Sequence, residues 1–512
     1  MGIPAYFSYI IKNHQSIIHE KIPSKIDSLY MDCNSIIYDA VRTVEQQDNS
    51  EENNDNIIVQ VIQSIEYYIQ LIKPIKIVFI AFDGVAPFAK MQQQKTRRHK
   101  TEYITRTTTV PSGVKNKFST LEITPGTIFM NKLSKYIKRH FQDLDSSMTR
   151  TSVMRRIIVS TSEDPGEGEH KLVEHMRQFP NKDDSIAIYG LDSDLIMLAI
   201  FHYTLFTKVY ICREAPEFNL DIPSIKSNNT TLAPKGCLVN TQPLLLFMDI
   251  GLLSNSILIE MGASTKRHVD DYVFVCFMLG NDFLPHFPAL NIRTHGIQRL
   301  LDVYRVHISN YKERYLVDVE KNKINWRHMN RFIQELAKNE HEWILQEYKI
   351  RERERFFPEI TPEQQEYAFQ CIPMVYRGEE KYICPTESFW EERYYKVLFC
   401  SSKFNENKIQ NKDKIREICI NYIEGIEWTF KYYTIGCTDW KWKYNYHYPP
   451  LLKDLLLYVP HFDMVFIDKI RPAFTSEEQL EYVLPKSHNN QEQSDVKFQW
   501  AFCKYFWEAH LI

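Results

Sequence analysis

The chain has 10 cysteines but no CxxC pair, no apolar run near 18 residues, and almost no net charge, −3 over 512 residues. The first absence removes a zinc module and a disulfide framework and leaves reduced chemistry, with Cys33 and Cys276 as buried thiols. The second removes a membrane-spanning helix, and no signal peptide opens the sequence. An intracellular location is therefore expected, the cytoplasm before the nucleus. MGIPAY begins like a myristoylation site but puts Tyr6 where Ser or Thr is required. HKLVEH has neither the HExxH nor the HxxEH spacing of a zinc hydrolase, so His170 and His175 are expected on a helix surface or in support of other groups. Internal repeats are lacking too. Near neutrality would ordinarily argue against a nucleic-acid binder. Carboxylates that hold cations count as negative in the sum but are neutralised in a working site, so the sum is a poor guide.

What the sequence does have is a set of seven acids over its first 282 positions: Asp32, Asp83, Glu167, Glu169, Asp192, Asp194 and Asp282. SLYMD (28–32), IKIVFIAFDG (75–84), IIVS (157–160) and SIAIYGLDSD (185–194) are β-branched or aromatic runs that end at or near an acid, as buried strands do. In a parallel α/β sheet the strand C-termini share one edge, which gathers such carboxylates in one crevice. Two carboxylates about 4 Å apart repel by roughly 4 kcal/mol at an effective dielectric near 20. Several together require raised pKa values or bound cations. All-oxygen ligation suits Mg²⁺ or Mn²⁺, and the pattern reads as a multi-carboxylate metal site for phosphoryl chemistry.

The individual motifs support this. EDPGEGEHK (163–171) sets Glu167 and Glu169 around Gly168, with glycines that permit close backbone approach and a helix starting near His170. YGLDSDLIML places Asp192 and Asp194 at i and i+2 after a strand, pointing the same way if the chain is extended. Asp282 follows an apolar helix in a Gly-Asn-Asp turn, and Asp270 and Asp271 are expected to cap the start of that helix. DGVAPFAKMQQQKTRRHK puts Lys90, Gln94, Arg97 and Arg98 on one helical face; alone this would read equally as a nuclear-localisation-like basic run or a solvated helix face, but directly after a metal-site acid it reads as a donor set for a terminal phosphate. EGIEWTFKYYTIGCTDWKWKYNYHYPP (424–450) interleaves aromatics with lysines; most are expected in packing, with one or two left to stack on a base.

At this length two domains are expected, since single cores stop growing near roughly 250–300 residues. Residues 1–310 alternate strands and helices, which implies an α/β fold with a mostly parallel sheet; 311–512 are charged, aromatic-rich helices. EQQDNSEENNDN (45–56), KSNNTTLAPKG (226–236), 403–414 and SHNNQEQSD (487–495) read as loops, and the RERER run as a solvated helix face. IIVQVIQSIEYYIQLIK (57–73) reads as a helix leading through Pro74 into a strand.

Taken together, MGIPAYF, MDCNSIIY (31–38), FDGVAPFAKMQQQKTRR, ITPGTIFM (123–130), EDPGEGEHK, YGLDSDLIML, LGNDFLPHFP (279–288) and the 424–450 segment resemble the Xrn/Rat type of 5′→3′ exoribonuclease. RPAFTSEEQLEYVLP (471–485) and FQWAFCKYFWEAHLI (498–512) are weaker echoes, and coverage is thin over 310–385. The resemblance implies a PIN/flap-nuclease-like sheet with helices on both faces. It also implies a catalytic nuclease domain over 1–310 and a helical second region over 311–512 packed beside the active site. All seven acids become catalytic metal-site residues for two Mg²⁺ or Mn²⁺ ions. Lys90, Gln94, Arg97 and Arg98 become the 5′-monophosphate pocket. Tyr38 and either Trp440 or Trp442 become the stacking platform for the terminal base.

Three positions depart from the family pattern: Tyr38 where His is usual, Ser35 where Gly is, and Phe88 where a basic residue is. None removes a ligand. The sequence stops where the second conserved region stops, so the carboxy-terminal domains of long members are expected to be absent. The implied reaction is hydrolysis of 5′-monophosphorylated single-stranded RNA to nucleoside 5′-monophosphates, an RNA-degrading or mRNA-decay activity of a monomer. Protein partners are not legible. The alternatives are a flap-endonuclease-like DNA nuclease, against which the basic helix and aromatic region count, and a non-catalytic RNA 5′-end-binding scaffold, against which the complete acid set counts.

Overall fold

The computed structural model describes residues 3, 5–22, 25–47, 53–107, 118–148, 156–214, 245–311, 314–354, 371–399, 408–485 and 496–512. Of the expected loops, 226–236, 487–495, 403–407 and the centre of the polar insert (48–52) lie outside the described residues. The flanks of that insert and residues 408–414 are helical, not loop. Gln, Glu and Lys form helices well, so a segment without an apolar stripe can still be the polar end of a longer helix. The chain divides into two compact units, 1–85 with 115–259, and 86–114 with 260–512. Among the described residues no helix is long and apolar enough to cross a membrane.

The first unit is built on a seven-stranded sheet of β1 (Ile18–His19), β2 (Ser28–Asp32), β3 (Ile77–Ala81), β4 (Arg156–Ser160), β5 (Asn181–Tyr189), β6 (Phe206–Glu214) and β7 (Leu245–Asp249). Their order is β1-β7-β6-β5-β2-β3-β4. β6, β5, β2, β3 and β4 are parallel, and β7 is antiparallel to β6 and to β1. β2 is buried along its whole length, as its uninterrupted apolar run requires of a central parallel strand. Register then brings the strand ends level: Asp32 lies beside Ala81, Ala81 beside Ser160, and Met31 beside Tyr189. The helix Asn53–Ile72 packs its Ile57, Val61, Ile65 and Ile69 into the core with Leu29, Met31 and Val78. It stops at Lys73 in the left-handed region (φ 54°), and Pro74 cannot continue it.

Long helices make the second unit: Phe88–Thr107, Trp326–Arg353 and Lys408–Thr434, with the shorter Lys266–Cys276. Aromatic packing fills it. Trp428 stacks on Tyr432 and Trp442 with ring centres 4.8 and 5.2 Å away, and Phe283 meets Trp428 edge-on at 5.0 Å. Two sequence expectations fail in part here, at Asp271 and at Arg351, because each pairs with a distant segment. Asp271 does not cap its own helix, which starts after Thr265. It lies inside the helix, accepting the Leu316 and Val317 N–H groups at 2.9 Å and the Tyr304 hydroxyl at 2.6 Å. Asp270 is likewise buried within the helix. The RERER run is solvated only at Glu352, Arg353 and Glu354 among its described residues. Arg351 turns inward to Glu380, which also accepts from Arg377 Nε at 2.6 Å and the Phe502 N–H at 2.8 Å.

Burial alone would raise the Glu380 carboxyl, but Arg351 and Arg377 outweigh it and hold it below the ordinary value. A depressed carboxyl contributes stability that is present above the unfolded value and is lost as pH falls through the folded one. Glu380→Gln, which leaves two buried guanidiniums unpaired, is expected to cost about 3–5 kcal/mol in urea unfolding at pH 7. The difference from wild type should shrink as the pH falls below about 4.5.

Candidate active site

The level strand ends put Asp32 at the last position of β2 and Asp83 two residues beyond β3. Glu167 and Glu169 lie at the start of the helix Gly168–Gln178, which follows β4 after a short turn. Side-chain oxygens of Asp32, Asp83 and Glu169 all lie within 4.8 Å of one another, and ligand atoms of Glu167, Glu169 and His170 form a second such group. Asp83 is fixed from two sides. Its Oδ1 accepts the Gly168 N–H at 2.7 Å, while Asn34 donates from Nδ2 to its Oδ2 and accepts its backbone N–H at 3.1 Å. Asn34 had not been singled out from the sequence; its place two residues after Asp32 was the available signal. The glycines are a matter of space. A Cβ on Gly168 would stand 2.5 Å from Asp32 Oδ1, and one on Gly84 would stand 1.8 Å from the Asp164 carbonyl oxygen.

Asp192 and Asp194 are not two side chains on one face of an extended strand. β5 ends at Tyr189, the chain turns, and Asp194 opens the helix Asp194–His202 with its N–H donated to Asp192 Oδ1 at 3.2 Å. An Asp just ahead of a helix finds an orphan N–H more readily than it stays extended. Asp192 still acts electrostatically on Asp32. The helix itself is buried throughout, as its apolar sequence requires.

Burial pushes the Asp32 carboxyl well above the ordinary range, and Asp83, Asp192 and Glu167 push it further. Lys171 is the internal offset. Its Nζ donates to the Phe82 and Thr161 carbonyls at 2.8 Å each, tying the ends of β3 and β4 together. Burial brings it down to about 8 against the opposing pull of Asp83, Asp164 and Asp32. A donor set of clustered carboxylate oxygens, strained by its own charge, fits a divalent cation of the oxygen-liganded kind.

Asp282 belongs to the second unit, in the turn after Gly280 (φ 85°). Within that unit it accepts from Lys90 Nζ and Gln93 Nε2. Lys90, Gln94, Arg97 and Arg98 share the Phe88–Thr107 helix; Arg97 is exposed, Arg98 is buried, and Gln94 keeps a buried amide oxygen with no donor among the described residues. Of the stacking candidates, Tyr38 and Trp440 are half-buried, whereas Trp442 is 5% exposed and lies between Trp428 and Gly425. The loop bearing both tryptophans is clamped by Arg471, which donates to both oxygens of Asp439 at 2.6 and 2.7 Å. The ring of Phe88, one of the three departures from the family pattern, carries the Lys443 ammonium 4.8 Å from its centre.

A raised carboxyl such as Asp32 contributes stability below its unfolded value that is lost as pH rises through the folded one. A bound cation removes that loss. Mg²⁺ is therefore expected to raise Tm more at pH 8 than at pH 5. Gly168→Ala, by displacing Asp32, should weaken the apparent Mg²⁺ affinity about tenfold or more in the same thermal titration, corresponding to roughly 1.4 kcal/mol.

Two family models match the sequence. One described as "XRN 5′-3′ exonuclease N-terminus" covers residues 1–215, and one described as "Xrn1 helical domain" covers 263–371 and 379–492. The 5′-3′ exoribonuclease 1 of Saccharomyces cerevisiae is 25% identical over 96% of this chain and 39% of its own length. The 5′-3′ exoribonuclease 2 of Gallus gallus is 26% identical over 89% of this chain and 60% of its own. The chain thus spans between about two fifths and three fifths of these relatives. Among solved structures, the catalytic core of Rad2 in complex with a DNA substrate matches over 72% of this chain and 85% of that one at 13% identity, with a TM-score of 0.31, too slight a likeness to carry weight. With both conserved regions matched in order, and a carboxylate cluster where the parallel strands end, this chain belongs to the XRN 5′-3′ exonuclease family.

Proposed function

We propose that this protein is a 5′→3′ exoribonuclease that hydrolyses 5′-monophosphorylated single-stranded RNA and releases nucleoside 5′-monophosphates. The observation that carries the reading is the convergence of Asp32, Asp83 and Glu169 within 4.8 Å in a chain of this family. Residues 1–310 would form the catalytic domain and 311–512 the helical second region. Asp32, Asp83, Glu167, Glu169, Asp192 and Asp194 would hold two Mg²⁺ or Mn²⁺ ions, and Asp282 joins them on the strength of its motif. When bound, such ions activate the attacking water and stabilise the leaving 3′ oxygen. Asn34 and the Gly168 N–H keep Asp83 in one orientation, so its free lone pairs stay aimed at the cation side.

Lys90, Gln94, Arg97 and Arg98 would bind the 5′-monophosphate. For Lys90 this means exchanging or sharing its bond to Asp282, so the phosphate competes with an internal carboxylate. Tyr38 would offer one stacking face. Trp440 would offer another, because it keeps a face outside the packing that encloses Trp442.

The deciding experiment is degradation of 3′-labelled single-stranded RNA in Mg²⁺, comparing 5′-monophosphate, 5′-hydroxyl, 5′-triphosphate and capped ends. Rapid loss of the monophosphate substrate alone, with release of mononucleotides, is expected. Cutting that ignores the 5′ end would make the protein an endonuclease, and binding without cleavage would make it a scaffold. Asp83→Ala and Asp192→Ala should each abolish turnover, by about 10³-fold or more, while RNA binding stays measurable. Arg97→Ala should erode the monophosphate preference by about 10–100-fold, the loss of a charge-assisted contact of roughly 1.5–3 kcal/mol; an undiminished preference would move the pocket elsewhere.

A further inference from the structure

Three lysines of the second unit share an arrangement that the site described above does not use. Lys443 Nζ lies 4.8 Å from the Phe88 ring centre, Lys441 Nζ 4.9 Å from that of Phe474, and Lys95 Nζ 4.6 Å from that of Tyr482. The three rings form one cluster, with Phe88 5.4 Å from Phe474 and 5.0 Å from Tyr482. All six side chains are half-buried. Three ammoniums over the rings of one aromatic cluster concentrate positive charge on one surface.

The surrounding backbone is held firmly. The Phe88 N–H donates to the Trp440 carbonyl at 2.9 Å, Tyr482 donates its hydroxyl to Gln92, and the Ala86 N–H donates to Gln479 at 2.8 Å. Asp439, clamped by Arg471, also accepts the Lys441 N–H at 3.0 Å. The platform is therefore built from four separate stretches of chain, around 86–95, 439–443, 471–474 and 479–482.

Among the described residues none of the three ammoniums is paired with a carboxylate or donates a hydrogen bond. A cation–π contact holds an ammonium by its charge and leaves its N–H groups unspent. Burial and the nearby Lys95 charge both pull Lys443 below its ordinary value, so like charges are kept close at a cost. Several other partly buried cations of this unit are paired with carboxylates: Lys431 with Glu427, Arg299 with Glu347, Arg351 with Glu380.

We propose that Lys95, Lys441 and Lys443 form a phosphodiester-binding platform that holds backbone phosphates of single-stranded RNA, separate from the residues assigned to the 5′-terminal phosphate. The choice of polymer rests on the function proposed above; the site rests on the unpaired cations. Ammoniums are point charges that read no base, so the platform takes any sequence. The aromatic rings beneath hold the lysines in place and are not themselves required to stack on bases.

The test is equilibrium binding of a fluorescent 5′-hydroxyl single-stranded RNA in EDTA across a salt series, which removes turnover and the terminal phosphate from the readout. For K95Q/K441Q/K443Q, affinity at low salt should fall about tenfold or more. The slope of log K against log salt should become shallower by about 0.7 for each lysine removed. The corresponding triple Arg variant keeps the charges and should keep the slope. K443Q alone, with one step of the effect, provides the measurement if the triple variant melts abnormally. Wild type and triple Gln variant with the same slope would overturn the platform, even if RNA is hydrolysed normally and the proposed function stands. A lysine-dependent slope in a protein that hydrolyses no RNA in Mg²⁺ would support the platform and overturn the exonuclease.

Discussion

Carboxylates brought together at the ends of parallel strands repel one another, and the first unit is organised around that repulsion. Its register leaves no freedom: once β2 lies between β5 and β3, Asp32 stands at the same level as the ends of both neighbours. Asn34 offers donors, and Lys171 and Arg213 act on the acids as cations. Burial pulls both cations down, Lys171 to about 8 and Arg213 to about 10, so each keeps its charge at a desolvation cost. Glycine at 168 follows from the same crowding, since a methyl group there would occupy the space beside the Asp32 carboxylate. A core protein designed for stability would have apolar residues at these positions. Keeping the acids makes sense where external cations complete the charge balance.

The second unit handles charge in two different ways, and the difference is informative. Where Arg351, Arg377 and Glu380 meet, opposite charges are paired in a buried network that also fixes the Phe502 backbone. Where Lys95, Lys441 and Lys443 meet, aromatic faces do the holding, and among the described residues no carboxylate pairs with the ammoniums. Burial penalises an ionised group unless it is paired or stays in contact with solvent or a ligand. Asp282 is an intermediate case, an acid held by Lys90 and Gln93 yet belonging to a motif read as metal-binding.

Much of this could be read from the sequence, and the failures have a common cause. β2 was legible to the residue, because a run buried on both faces is a run of apolar side chains ending at an abrupt acid. The acid cluster was legible because parallel topology converts strand-end positions into neighbours. Asp192 and Asp194 were misread in detail because local N–H groups compete with the extended chain for a carboxylate. Asp271 and Arg351 were misread because their partners, Leu316 and Glu380, are 45 and 29 residues away, beyond any local pattern. Phe88 read as a missing cation in linear order, whereas Lys443 comes to its ring from 355 positions further along the sequence.

The near-zero net charge is the clearest case of a sum that hides its terms. Averaged over the chain, acids and bases nearly cancel, which taken alone would speak against a polyanionic ligand. Yet cancellation in the sum does not require cancellation in space. Four carboxylates, those of Asp32, Asp83, Glu167 and Glu169, concentrate in the first unit around strand ends, and the ammoniums of Lys95, Lys441 and Lys443 concentrate in the second on an aromatic cluster. Screening limits the reach of exposed charge to about 8–10 Å at physiological salt, so each concentration acts on what touches it, with little regard for the total. A divalent cation at the carboxylates would meet a strongly acidic protein, and a phosphate at the lysines would meet a basic one.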